Sequence, residues 1–125
     1  MRPTEINLHQ KSHLLEIEFE DGSRHKLSCE YLRVFSPSAE VRGHGPGEEK
    51  LQLGKESVGI DAIEPVGNYA VKLVFDDGHH TGMYSWDYLY DLAVNQEQYW
   101  KTYLERLKAA GYTRKVKDQY STLGH

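Results

Sequence analysis

The chain has 125 residues and a net charge of −4, a size at which one domain buries an adequate core and two ordinary domains do not fit. The negative balance excludes a bulk positive field for phosphate backbones, so nucleic acid is not an expected partner. The single cysteine, Cys29, excludes an intrachain disulfide or a thiolate cage, and with no apolar run of membrane-spanning length and no signal-peptide core the expectation is a soluble cytoplasmic protein without a membrane partner.

From Ile6 to Phe19 apolar and polar residues alternate, with Leu15, Ile17 and Phe19 set against Glu16, Glu18 and Glu20, the period-two pattern of half-buried strands. A break near Gln10 to Ser12 divides this stretch into two strands. Asp21-Gly22 supplies the left-handed conformations of a tight hairpin, Arg24 to Ser28 is the return strand, and a three-stranded meander opens the chain. After Tyr31-Leu32-Arg33, the stretch from Ser36 to Lys50 gathers Gly43, Gly45, Pro46 and Gly47. It reads as a loop too long for a mere connection, and such loops are either functional or partly disordered.

Strand patterns resume over Val58–Val66 and Tyr69–Phe75 with Gly67-Asn68 between them, and Asp76-Asp77-Gly78 leads into a hairpin that returns over Thr81–Tyr84. Ser85 is placed to cap a helix from Trp86 to about Val94, with Asp87 in its first turn. A second helix, Gln96 to Ala110, puts Tyr99, Tyr103, Leu104 and Leu107 on one face and stops at Gly111. The remainder lacks periodicity and is expected to be mobile or loosely docked. The fold class is therefore α+β: small antiparallel meander hairpins followed by C-terminal helices, with a domain over 1–111 and a tail over 112–125.

The chain also echoes itself. Leu15-Glu16-Ile17-Glu18-Phe19-Glu20-Asp21-Gly22 followed by Tyr31-Leu32 parallels Val71-Lys72-Leu73-Val74-Phe75-Asp76-Asp77-Gly78 followed by Tyr88-Leu89. The second copy has one extra residue between its hairpin glycine and its tyrosine, to be absorbed as a β-bulge near His79-His80.

Two segments, Leu32-Arg33-Val34-Phe35-Ser36-Pro37-Ser38-Ala39-Glu40-Val41 with Gly43-His44-Gly45, and Phe75-Asp76-Asp77-Gly78-His79-His80-Thr81-Gly82-Met83-Tyr84-Ser85-Trp86, resemble the gamma-butyrobetaine hydroxylase-like N-terminal domain, and the resemblance runs to about Tyr90. In the carnitine-biosynthesis hydroxylases that domain precedes an iron- and 2-oxoglutarate-dependent oxygenase; bacterial relatives often consist of the domain alone, and similar modules are joined to iron–sulfur carrier ATPases. This chain looks like the stand-alone kind. The resemblance further implies a structural zinc held by three cysteines and a histidine, but here those positions are Ser36, Ser38, Val41 and His79. Hydroxyls and a valine do not replace thiolates in a zinc tetrahedron, so a family-type zinc site is not expected.

None of the seven histidines is followed two residues later by an acid, as the usual opening of a non-haem iron triad requires, and no nucleophile, base and orienter assemble from the sequence. Enzymatic activity is not expected. Cys29 reads as a buried, inert thiol, its pKa raised further by the neighbouring Glu30. Arg42-Gly43-His44-Gly45 has the glycines and guanidinium of an anion nest without the setting of a phosphate loop, and reads as a partner-contact loop. Tyr84, Trp86, Tyr88 and Tyr90 form either a stacking surface or part of the core.

The leading functional expectation is a non-catalytic interaction or accessory module, with an iron–sulfur carrier or redox enzyme as the partner class the resemblance implies. Its binding surface would draw on Arg33, Ser36, Ser38, Arg42, His44, Tyr84 and Trp86. The alternative is a small iron- or zinc-binding protein using His79 with His44 or His80, set against a plain solvated turn carrying a structural histidine; adjacent strand histidines face opposite ways, so both bind one ion only if a bulge re-aims one. A third reading is an accessory domain of a 2-oxoglutarate oxygenase system.

Overall fold

The computed structural model describes residues 1–43 and 49–115. In chain order the elements are β1 (Pro3–His9), β2 (Leu14–Phe19), β3 (Arg24–Ser28), α1 (Cys29–Val34), α2 (Ala39–Arg42), β4 (Ile60–Val66), β5 (Ala70–Phe75), β6 (Met83–Ser85), α3 (Trp86–Val94) and α4 (Gln96–Ala109). The strands form two antiparallel sheets, ordered β1-β2-β3 and β4-β5-β6. The fold is α+β, as the alternation implied.

Period-two patterning sends Leu15, Ile17 and Phe19 of β2 and Val71, Leu73 and Phe75 of β5 into one shared core. Each such side chain contributes about 1.5–3 kcal/mol by leaving water. On the opposite face of the first sheet, Glu16 and Glu18 pair with Arg24 across the β2–β3 register.

The sequence echo is a structural repeat over residues 2–35 and 59–92. In each copy the hairpin phenylalanine closes the same turn: Phe19 N donates to Ser23 O at 2.9 Å and Phe75 N to His79 O at 2.9 Å. Gly22 and Gly78 hold φ of 86° and 91°, left-handed values at which glycine is unstrained. Each turn aspartate accepts from the backbone two residues on, Asp21 from Ser23 N at 2.9 Å and Asp77 from His79 N at 3.2 Å. A register shift near the start of each outer strand recurs, at Pro3/Glu5 and at Ile60/Ala62. Ser28 and Ser85 cap the following helices, accepting from Tyr31 N at 3.0 Å and Tyr88 N at 3.1 Å.

The copies dock reciprocally. Tyr31 Oη donates to Leu92 O at 2.7 Å while Tyr88 Oη donates to Phe35 O at 2.5 Å, each tyrosine three residues after its cap and each carbonyl seven residues after the other cap. Arg33 Nε donates to Asp77 Oδ2 at 2.9 Å and its counterpart Tyr90 Oη to Asp21 Oδ2 at 2.9 Å. When position i of one unit meets j of the other and j meets i, the units are related by a two-fold axis.

The structure departs from the sequence reading in three places. The last strand begins at Met83, and residues 80–82 leave the ladder altogether, so the extra residue is absorbed by an excursion and not by a bulge. A four-residue helix, α2, capped by Ser38, lies inside the expected loop. Leu104 is exposed, and Trp100 packs against the core in its place. Docking, one of the two states expected of the tail, is seen for its described start: Arg114 forms a two-pronged pair with buried Glu30 and lies 5.1 Å from the Trp100 ring centre, and Tyr112 Oη donates to Glu56 at 2.6 Å. Residues 116–125 lie outside the described part. Among the described residues no helix is long and apolar enough to cross a membrane.

Candidate functional site

The excursion after β5 and the capped turn of α2 bring His79, Ser36, Ser38, Glu40 and Thr81 together. His79 is buried, with Nδ1 2.9 Å from Glu40 Oε1 and Nε2 2.8 Å from Ser36 Oγ. Burial first, and then the nearby Arg33 charge, hold the imidazole below the ordinary histidine range, against the opposing pull of Glu40 and Asp77. Glu40 is held low by the Thr81 hydroxyl first and by His79 as well. An ionised carboxylate only accepts, so the neutral imidazole carries its proton on Nδ1 and Nε2 accepts from Ser36 Oγ.

The remaining donors then have one consistent assignment. Thr81 Oγ1 donates to Glu40 at 2.9 Å, Ser38 Oγ donates to Thr81 Oγ1 at 2.6 Å, and Ser38 N and Glu40 N donate to Ser36 Oγ and Ser38 Oγ, each at 3.2 Å. Glutamate, imidazole and serine hydroxyl follow the order of a hydrolytic triad. However, Ser36 is fully buried, and Gly82 lies so close over it that a Cβ there would overlap Ser36 Oγ. No substrate carbonyl reaches that hydroxyl. The cluster is a closed polar clasp fixing the segment after α1 to the second hairpin.

The four positions that the resemblance links to zinc, Ser36, Ser38, Val41 and His79, are thus brought to one neighbourhood, but the donor set does not fit the metal. Val41 is buried and apolar, both imidazole nitrogens are engaged, and the hydroxyls satisfy one another; tetrahedral zinc wants thiolates or imidazoles. His80 is exposed and takes no part. His44 lies outside the described residues. Among the described residues no three His, Cys, Asp or Glu side chains converge as a metal group.

Of the residues expected on a binding surface, Ser36, Ser38 and Tyr84 are buried and offer none. The reason is hydrogen-bond satisfaction: the serines belong to the clasp, and Tyr84 Oη donates to Leu32 O at 2.6 Å inside the core, where burial pushes its phenol far up. Trp86 is half-buried, its Nε1 donating to Asn68 O at 2.7 Å. Arg33 is 7% exposed, held by Asp77 and by Gln52 Oε1 at 3.1 Å. Cys29 is buried and its thiol is pushed up to about 11, by burial first and to a lesser degree by Asp76; Glu30, the cause expected from sequence, turns away to Arg114.

Among the described members of that set, Arg42 alone stands exposed at an open feature. Its Nη1 donates to Tyr88 Oη at 3.2 Å, at the edge of a cleft of about 300 Å³ between the α1–α2 segment, residues 49–52 and helices α3 and α4. Phe35 stacks with Tyr99 at 5.8 Å between ring centres, Tyr103 Oη donates to Gln52 O at 2.6 Å, and Tyr99 Oη donates to Asp91 at 3.0 Å. Arg106 borders the cleft with no side-chain partner among the described residues. Sequence reading placed Tyr99 and Tyr103 only as packing aromatics. Their i, i+4 spacing was visible, but the groove they share with Phe35 and Tyr88 comes from the docking of the two repeats.

The family described as gamma-butyrobetaine hydroxylase-like, N-terminal, matches residues 6–90. Two solution structures determined by NMR are similar to this chain: one at 58% identity and TM-score 0.77, covering 90% of this chain and 84% of that one, the other at 46% identity and TM-score 0.80, covering 93% and 91%. A crystal structure from Acidithiobacillus ferrooxidans ATCC 23270, of a protein with unknown function in the DUF971 family, is 38% identical at TM-score 0.62 and covers 73% of this chain and 91% of that one. No curated protein matches the chain.

Proposed function

Since the chain belongs to the gamma-butyrobetaine hydroxylase-like, N-terminal, family, we propose that it works as a non-catalytic interaction module that holds a protein partner at the aromatic cleft. One observation carries this reading: the clasp around His79 is closed and internally satisfied, whereas Phe35, Tyr88, Tyr99 and Tyr103 line an open groove with Arg42 and Arg106 at its edge. Aromatic and arginine side chains are the groups that most often anchor interfaces, because they bury large areas while keeping a polar handle. An iron–sulfur carrier or redox enzyme is the partner class that the family resemblance suggests.

The test is a photo-crosslinking residue placed at Arg106, with a second placed at exposed Lys11 as control, in a native extract. A discrete adduct from Arg106 alone, competed away by unmodified protein, is the expected result. Matching adducts from both positions, or none from Arg106, defeat the reading. The rival, a metal protein at His79, requires one imidazole nitrogen to give up its hydrogen bond, to Ser36 or to Glu40. Elemental analysis after purification with added iron and zinc decides it, since stoichiometric metal lost in His79→Ala would restore that rival.

A further inference from the structure

We propose that the polar pocket formed by Arg33, Lys50 and Lys55 beside the His79 clasp binds a small phosphate-type oxyanion, a site separate from the function assigned to the aromatic cleft. The pocket encloses about 370 Å³ and is bordered also by Glu40, Asp77 and His79. Its base is a buried guanidinium, 7% exposed. Arg33 spends Nε on Asp77 and Nη1 on Gln52, which leaves Nη2 without an acceptor among the described residues.

The charges do not balance. Asp77 Oδ2 accepts from Arg33 at 2.9 Å and from Lys55 Nζ at 2.8 Å, so one carboxylate faces two cations. Lys50 borders the same pocket and has no ion pair among the described residues. Glu40 is engaged by Thr81 and His79. Among the described residues, three cations therefore face two carboxylates, both of them occupied, around a concave surface.

The repeat shows that the fold does not demand this arrangement. At the equivalent position of the other copy the turn aspartate, Asp21, is met by the phenol of Tyr90, which docks the repeats without burying a cation. A buried guanidinium carries a large desolvation penalty. The second copy carries that cost, adds Lys55 to the same carboxylate, and leaves Nη2 of a pocket-lining arginine without an acceptor among the described residues. A guanidinium fork with flanking ammonium groups is the chemistry that recognises phosphate oxygens.

The experiment is an amide and arginine-side-chain NMR titration of the full chain at constant ionic strength, with inorganic phosphate in one arm and methyl phosphate in the other. Saturable shifts confined to Gly78, His79, Gln52 and the Arg33 Nε–H are expected. Loss of a charge-assisted hydrogen bond should raise Kd about tenfold in Lys55→Gln, and loss of a nearby unpaired charge about threefold in Lys50→Gln. Lys50→Gln removes no ion pair among the described residues and is expected to leave the melting temperature unchanged, which the same samples check, so that a folding defect is told apart from lost binding. Saturation by both probes identifies a phosphate ester as ligand, and saturation by inorganic phosphate alone identifies the free ion. Shifts that stay linear and spread over the surface overturn the proposal, as does saturation indifferent to both lysine variants, which marks an adventitious ion only.

Discussion

The two meander-and-helix copies share a backbone and differ in what hangs on it. In the first, the turn ends at Ser23, whose hydroxyl folds back on Asp21 at 2.6 Å, and the chain re-enters the ladder at Arg24. In the second the same turn ends at His79, and the chain stays out of the ladder until Met83. That excursion puts Gly82 over Ser36, sends the imidazole inward and gives Glu40 and Thr81 something to close upon. One extra residue in a repeated scaffold thus separates a solvated turn from a buried polar clasp. The shared part supplies the core strand and its turn, and the part that differs supplies the contacts that fix the segment after α1 to the second hairpin.

The comparison breaks hardest at Gly82. A Cβ there overlaps Ser36 Oγ and meets Pro37 Cδ at 3.2 Å, so Gly82→Ala should cost about 3 kcal/mol in urea unfolding, the upper range of overpacking. The turn glycines test the shared part. Neither has a heavy atom within 4 Å of an added Cβ, so Gly22→Ala and Gly78→Ala should each lose about 1–2 kcal/mol from left-handed strain alone. Unequal losses at these two positions would mean that the turns are not equivalents.

The reciprocal docking bonds give a smaller effect. Tyr31→Phe and Tyr88→Phe each delete one hydroxyl-to-carbonyl bond, worth about 1 kcal/mol in denaturant midpoints. Tyr31 should lose more, because its bond is buried whereas that of Tyr88 is partly exposed.

The smallest effect is pH-dependent and belongs to the second copy alone. His79 is depressed below the ordinary histidine value by burial, then by Arg33, so the unfolded state takes up a proton that the native state refuses. Its contribution is full above the unfolded value of about 6.5 and is lost as pH falls through the lower native value. His79→Gln should flatten that part of the stability curve, measured by urea midpoints from about pH 7.5 downward. Ser23→Ala, at the equivalent turn position, should leave it unchanged.

Strands, turns and the two long helices were legible because their signals are local: Leu15, Ile17 and Phe19 alternate, Asp-Gly forces a left-handed residue, and Ser85 caps the helix beside it. The repeat was visible in the same way. The clasp was only half legible. His79, Ser36 and Ser38 stood out through the family resemblance, yet Glu40 and Thr81 did not, since their pairing spans 41 residues and depends on α2, a helix too short to have periodicity. Sequence separation also hid Lys55, which reaches Asp77 across 22 residues, and the aromatic cleft, whose walls come from both copies, the segment between them and α4. In each case the missing information was tertiary: which partner satisfies a polar group is decided by docking, after local preference has been spent.

The reciprocal hydroxyl-to-carbonyl bonds make each copy complementary to the other by the same two contacts. A copy supplied by a second chain would meet the same donors and acceptors as the covalent neighbour. What favours closure within one chain is therefore the tether across residues 36–58, which holds the partner copy at an effective concentration on the order of millimolar. Shortening that tether lowers the advantage while both hydroxyl-to-carbonyl bonds keep their donors and acceptors, and exchange of halves between chains becomes the competing way to satisfy the same interface.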